Sequence, residues 1–196
     1  MIASLCSCLG AAACAGLNST LALLILALAD RLTGRIDLAD PYSAISSTAG
    51  IIIILLVLPI ELLADKMPGI DGISDRIHTV IRPLVGGFMG MAIASQPDGI
   101  NVWIGGIIGF VAAAAVHLYK MRSREVVTVA TNGMANPFLS IVEDLVTIIC
   151  APVALFVPYA AIAVVPILGG ILYRLTEKMK RGEFRIETLL GIKPPA

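Results

Sequence analysis

The run ISDRIHTVIRPLVGGFMGMAIASQ (73–96) decides the fold, because it joins a bilayer-crossing length to residues that a lipid-facing helix does not tolerate. About 20 mostly apolar residues cross the hydrocarbon core, and from Leu84 onward nothing in the run is charged. Its first ten residues carry Asp75, Arg76, His78 and Arg82. A helix that is apolar on most faces and ionisable on one must turn that face to protein or water. The run reads as a membrane helix with an inward polar stripe.

The rest of the chain agrees with that reading. Of 196 residues, 58% are hydrophobic and 14% charged, with a mean hydropathy of +0.92. Soluble domains hold roughly 45–50% apolar and about 25% charged residues. Five further apolar stretches, 3–29, 44–64, 101–119, 138–157 and 159–177, bring the expected count to six membrane helices in an all-α integral membrane protein. One transmembrane domain over 1–178 is followed by a polar cytoplasmic tail, 179–196. The formal net charge is zero, so no global field recruits nucleic acid. Cys6, Cys8 and Cys14 sit in a small-residue apolar run without a nearby histidine, which fits helix packing and not a metal site. Neither a metal nor a cofactor is expected.

Orientation follows from the basic residues, which favour short cytoplasmic loops. Six spans place eleven of the fourteen Lys and Arg residues on one side, among them Lys66, Arg76, Lys120, Arg122 and the cluster after Arg174. Only Arg31 and Arg35 fall on the other side, with Arg82 inside a span. Both termini are predicted to be cytoplasmic.

Shifted by 69 residues, PGIDGISDRIHTVIRP (68–83) aligns with PFLSIVEDLVTIICAP (137–152). Pro68, Asp75 and Pro83 meet Pro137, Asp144 and Pro152, a weak internal repeat whose copies start on the same side and are therefore parallel. Prolines inside a helix free a carbonyl and kink it, so both copies are expected to be bent or broken near mid-membrane. Asp71, Asp75, His78 and Arg82 lie at i, i+4, i+7 and i+11, which is one helix face. Their counterparts are Ser140, Asp144, Thr147 and Ala151. Asn136, in TNGMANP (131–137), stands where a segment can dip into the membrane before the fifth span. Asn18 is read as a polar contact between helices. Glu61, Asp65, Lys66, His117 and Lys120 fall at span ends, where solvated or snorkelling side chains are the default.

The block ELLADKMPGIDGISDRIHTVIRP (61–83), with AGLNSTLALL (15–24) and ANPFLSIVED (135–144), resembles a family of small bacterial membrane proteins described only as a domain of unknown function. The resemblance covers most of residues 10–178. It implies a bacterial inner-membrane location and six helices, and it carries no activity.

Two functions fit these residues. The first is a small transporter or channel for an ion or small polar solute, its pathway lined by Asp71, Asp75, His78, Arg82, Asn136, Asp144 and Thr147 between the repeated helices. The alternative is a non-transporting scaffold or accessory subunit of a membrane complex. Catalysis has no motif to rest on: there is no GxSxG, HExxH or GxxxxGK[ST]. DGISDR (71–76) echoes the acidic signature of alcohol phosphatidyltransferases, but Gly86 is followed by Gly87, Phe88, Met89 and Gly90 where two further aspartates are required. The expected partners are the lipid bilayer and either a second copy or a membrane complex. GGFMGMA (86–92) and GGIIGF (105–110) allow close helix approach within the chain or between copies.

Overall fold

The computed structural model describes residues 1–67 and 70–181. It is all-α, 84% helical, with no strand among the described residues. The helices are α1 (Ile2–Leu17), α2 (Ser19–Thr33), α3 (Thr48–Ala64), α4 (Asp71–Ala94), α5 (Val102–Thr131), α6 (Asn136–Phe156) and α7 (Pro158–Lys180). Among the described residues, three are long and apolar enough to cross a membrane: Gly72–Ala94, Val102–Thr131 and Asn136–Phe156. Two shorter apolar helices, Ile2–Leu17 and Thr48–Ala64, accompany them.

The stretch 3–29, expected as one span, is two helices that fold back on each other. The chain breaks at Asn18, whose φ of −145° and ψ of 106° are extended. Met1, Ser4 and Ser7 from the start of α1 line the same small cavity as Arg35 and Ile36, which follow α2, so both helices begin and end at one end of the bundle. Each arm is short: 16 and 15 residues rise about 24 Å and 22 Å, less than the hydrocarbon thickness of about 30 Å. The turn at Asn18 is held inside the bundle, where Leu17, Asn18, Ser19 and Thr20 are all buried.

The fold-back leaves Met1 and the last described turn of α7 at opposite ends of the bundle. The Met1 cavity is also lined by Gly99 and Pro158, and α7 starts at that end and runs away for 23 residues. The hairpin returns the chain to the end of the bundle where α1 began. Residues 1–30 contain no Lys or Arg, so charge bias had nothing to act on there. Residues 182–196 of the expected tail lie outside the described residues.

The prolines do not break the helices that carry them. Pro83 lies inside continuous α4 and Pro152 inside continuous α6. One lost backbone bond in a helix of 24 or 21 residues leaves intact turns on both sides, whereas at Asn18 the side chains described below stabilise a full stop. Helices α4 and α6 nevertheless run in the same direction, from the end near Lys66 toward the end near Met1.

The glycine stripes are spent inside the chain. Gly86 and Gly90 of α4 face Gly105 and Gly109 of α5 so closely that a Cβ on Gly90 would stand 2.1 Å from the Gly105 carbonyl oxygen, and one on Gly109 2.2 Å from that of Gly86. Those carbonyls belong to helix backbone and cannot rotate away. We expect Gly90→Ala to destabilise the protein by about 1–3 kcal/mol, the usual cost of overpacking, read as a lower midpoint in SDS-titration unfolding. Gly72→Ala, where nothing lies within 4 Å of the added atom, serves as the control and leaves the midpoint in place.

A buried charge network as candidate functional site

The site begins at the hairpin tip. A helix start leaves its first N–H groups without partners and carries partial positive charge, and here that start, Ser19 and Thr20, is buried inside the bundle. Asn18 Oδ1 accepts from Leu21 N at 2.9 Å. The Glu61 carboxylate, reaching over from the end of α3, accepts from Ser19 N at 3.2 Å and Thr20 N at 3.0 Å, and also from the Ser19 hydroxyl. The last turn of α1 is closed from the other side, where Lys120 Nζ donates to the Leu17 carbonyl at 2.7 Å. Asn18 Nδ2 donates to Asp144 Oδ1 of α6 at 2.9 Å.

From the tip the network spreads through five elements. Asp65, in the turn after α3, receives Lys120 at 2.7 Å, Arg82 at 3.0 Å and Arg124 at 3.4 Å on one oxygen, and the Ser74 hydroxyl at 3.0 Å on the other. Glu143 of α6 receives Arg124 at 3.0 Å and Lys120 at 3.1 Å. Arg82 also reaches Glu61 at 3.2 Å, and Lys66 pairs with Asp144. Asp75 is held most loosely, with Arg124 at 3.4 Å and Arg82 at 3.9 Å. Charges this deep persist only when paired and hydrogen-bonded. Here five carboxylates meet four basic side chains, which with every group ionised leaves the network one positive charge short.

Two histidines complete it. His117 of α5 accepts from Arg82 Nη1 on Nδ1 at 3.1 Å, and its Nε2 faces the Asp75 carbonyl at 3.1 Å. A guanidinium only donates and a carbonyl only accepts, so His117 is the neutral Nε2–H form. His78 of α4 lies between Ser74 and Glu61, with Nε2 3.5 Å from Glu61 Oε1.

Of the residues singled out in the sequence, Asp75, His78, Arg82 and Asp144 come together in this network. Thr147 is buried on the same face of α6, but its hydroxyl is used within the helix, on the Glu143 carbonyl at 3.0 Å. Asn136 is buried and donates to Thr128 Oγ1 at 2.8 Å, so it ties α6 to the end of α5 and starts a full helix, not a re-entrant one. The side chain of Asp71 lies outside the described residues. Glu61, Asp65, His117 and Lys120, expected at solvated or snorkelling positions, are instead buried members of the network. Arg124 and Glu143 are members that the sequence reading passed over. The signal for them was present: Ala113, His117, Lys120, Arg124 and Val127 repeat at helical spacing, and all five are buried because α5 continues to Thr131.

One side of the network opens toward the end near Lys66. A cavity of about 360 Å³ is lined there by Gly72, Arg76, Glu125, Thr128 and Asn136 and reaches Asp75 and Arg124. Arg82 Nε, Arg124 Nε and Ser140 Oγ are buried and have no hydrogen-bond partner among the described residues, so donors remain for water or a solute.

These features define an all-α membrane protein built around a buried, multi-helix ion-pair network. The chain belongs to the family described as a domain of unknown function, DUF4126, which matches residues 5–178, as the resemblance of its distinctive runs implied. No curated protein and no solved structure matches it.

Lys120 is completely buried and joins Asp65, Glu143 and Leu17, whereas the Lys66 side chain keeps 28% of its exposure. Lys120→Met takes one of three cations from Asp65 and one of two from Glu143, and leaves the Leu17 carbonyl without its donor, so it should cost about 3–5 kcal/mol in SDS-titration unfolding. Lys66→Met should cost clearly less, and equal losses would contradict a network centred on Lys120.

Proposed function

We propose that the protein is a small membrane transporter for an ion or small polar solute, working in the bacterial inner membrane. It is arranged as the α1–α2 re-entrant hairpin plus five crossings, α3 to α7. In this arrangement the end bearing Lys66, Arg76, Arg122 and Lys178 faces the cytoplasm, as the charge rule favours, and Met1 faces the opposite side. The observation that carries the reading is the hairpin itself. A helix broken inside the membrane, its tip resting on ionisable side chains that a polar cavity reaches from one end, is the construction in which transporters place their sites. The parallel entry of α4 and α6, each bringing one aspartate of the aligned repeat to the network, supports it further.

A second reading, a membrane scaffold or accessory subunit, is favoured by a different observation. Each charged member of the network has a partner within the chain, and tightly packed Ala11, Ala15, Met89 and Ile93 lie between the network and the cavity near Met1. On this reading the exposed aliphatic faces of α3 and α4 bind lipid, a second copy or a complex partner.

Flux of protons, monovalent cations and small polar solutes into proteoliposomes tests the first reading. With Asp75→Asn and Asp144→Asn combined, flux should be lost while circular dichroism and the elution volume in detergent stay those of the parent protein. Undiminished flux in a folded double variant overturns the assignment of these aspartates. A parent protein that moves nothing but copurifies with a stable partner favours the scaffold.

A further inference from the structure

We propose that His78 is the proton-binding group of this network and that its proton is coupled, through Glu61, to the docking of the hairpin tip. This rests on and deepens the transport reading, because it names the proton as the ion to which movement is coupled.

Hydrogen-bond chemistry fixes the state of the ring. His78 Nδ1 lies 2.8 Å from the Ser74 carbonyl oxygen and 3.1 Å from the Ser74 hydroxyl, whose own hydrogen goes to Asp65. A carbonyl accepts and never donates, so Nδ1 carries a hydrogen. Nε2 faces Glu61 Oε1 at 3.5 Å. A carboxylate oxygen also only accepts, so a bare Nε2 would set one lone pair against another in a water-poor site. Only the imidazolium places a hydrogen on Nε2 facing this oxygen, as an ion pair at 3.5 Å. His117 differs in this respect, since the Arg82 guanidinium beside its Nδ1 requires a bare nitrogen.

With every carboxylate of the network ionised, the charge balance agrees. Glu61, Asp65, Asp75, Glu143 and Asp144 outnumber Lys66, Arg82, Lys120 and Arg124 by one, and a protonated His78 closes the difference. The groups that face it are Glu61 from α3, Asp65 from the following turn, Ser74 and Arg82 on its own helix, and His117 from α5. Its side chain keeps 13% of its exposure, whereas those of Arg82 and Lys120 keep none.

The coupling follows from Glu61 Oε1, which serves His78, Arg82 and the Ser19 amide together. When His78 gives up its proton, the lone pair on Nε2 repels this oxygen, and the carboxylate turns away from the start of α2. The amides of Ser19 and Thr20 then lose their acceptor and the tip loosens. Binding and release of one proton thereby bias the docking of the hairpin.

Two measurements test this on the full chain in lipid nanodiscs, and neither uses flux. The sequence has only two histidines, so ¹⁵N spectra of histidine-labelled protein contain two rings. One, His117, should show a single Nε2–H form. The other should show both nitrogens protonated at the acidic end of a pH series and only Nδ1 protonated at the alkaline end. That signal should vanish in His78→Gln, or be the one that survives in His117→Gln. At one fixed pH, amide hydrogen exchange of the peptide holding Asn18–Leu21 should be on the order of tenfold faster in His78→Gln than in the parent, the change that about 1.4 kcal/mol of lost docking produces. In His78→Lys, which keeps a cation, it should stay close to the parent rate. A His78 ring that stays neutral throughout overturns the proposal, as does unchanged exchange in a folded His78→Gln protein. A protein that holds this proton but transports nothing overturns the transport reading alone.

Discussion

A single oxygen organises the bundle. Oδ2 of Asp65 accepts from Arg82 on α4 and from Lys120 and Arg124 on α5, so the turn after α3 is tied to two other helices at one point. Lys120 and Arg124 pass the attachment on to Glu143 of α6, and Lys120 passes it to the end of α1. In a bilayer the hydrophobic effect does little to bring helices together, and association rests on van der Waals packing and polar contacts. The small residues of α1, α4 and α5 let the backbones approach, and the ions around Asp65 specify which helices meet and at what height.

That division of labour explains how much of the molecule was legible in its sequence. Membrane class, the helices from α3 to α7 and the inward face of α4 follow from apolar length and 3.6-residue spacing, which are local properties. The buried stripe of Ser140, Asp144 and Thr147 on α6 was legible for the same reason. The two pairing patterns that define the site were not, because they are contacts over long separations. Nothing near Asn18 says that its amide meets a carboxylate 126 residues away. Without that contact, AGLNSTLALL reads as the middle of one long helix, and the prolines appear to be the stronger breakers.

Glu61, Lys120 and Arg124 show a second limit. Rules for charged residues at membrane interfaces assume that the nearest polar partner is water or a head group. Helix α5 has 30 residues, which is about 45 Å, so its basic residues sit on a helix that continues past the hydrocarbon boundary and remains covered by its neighbours. A residue near a span end is then interfacial in depth and buried in fact. Counting residues from the ends of an apolar window cannot separate the two cases. The repeat of buried positions from Ala113 to Val127 can, because neighbouring helices, not depth, produce it.

The hairpin also sets an order of assembly. Its tip is held by Glu61, by Lys120 and by Asp144, all of which leave the ribosome after it, the last by more than a hundred residues. Until α3 emerges the amides of Ser19 and Thr20 lack the Glu61 carboxylate, and until α6 emerges the Asn18 side chain lacks Asp144. The hairpin is therefore made before the groups that hold its tip and takes its final place only after them. Slow or incomplete synthesis of the second half would leave this segment stranded and expose the protein to quality-control proteolysis from its N-terminal side.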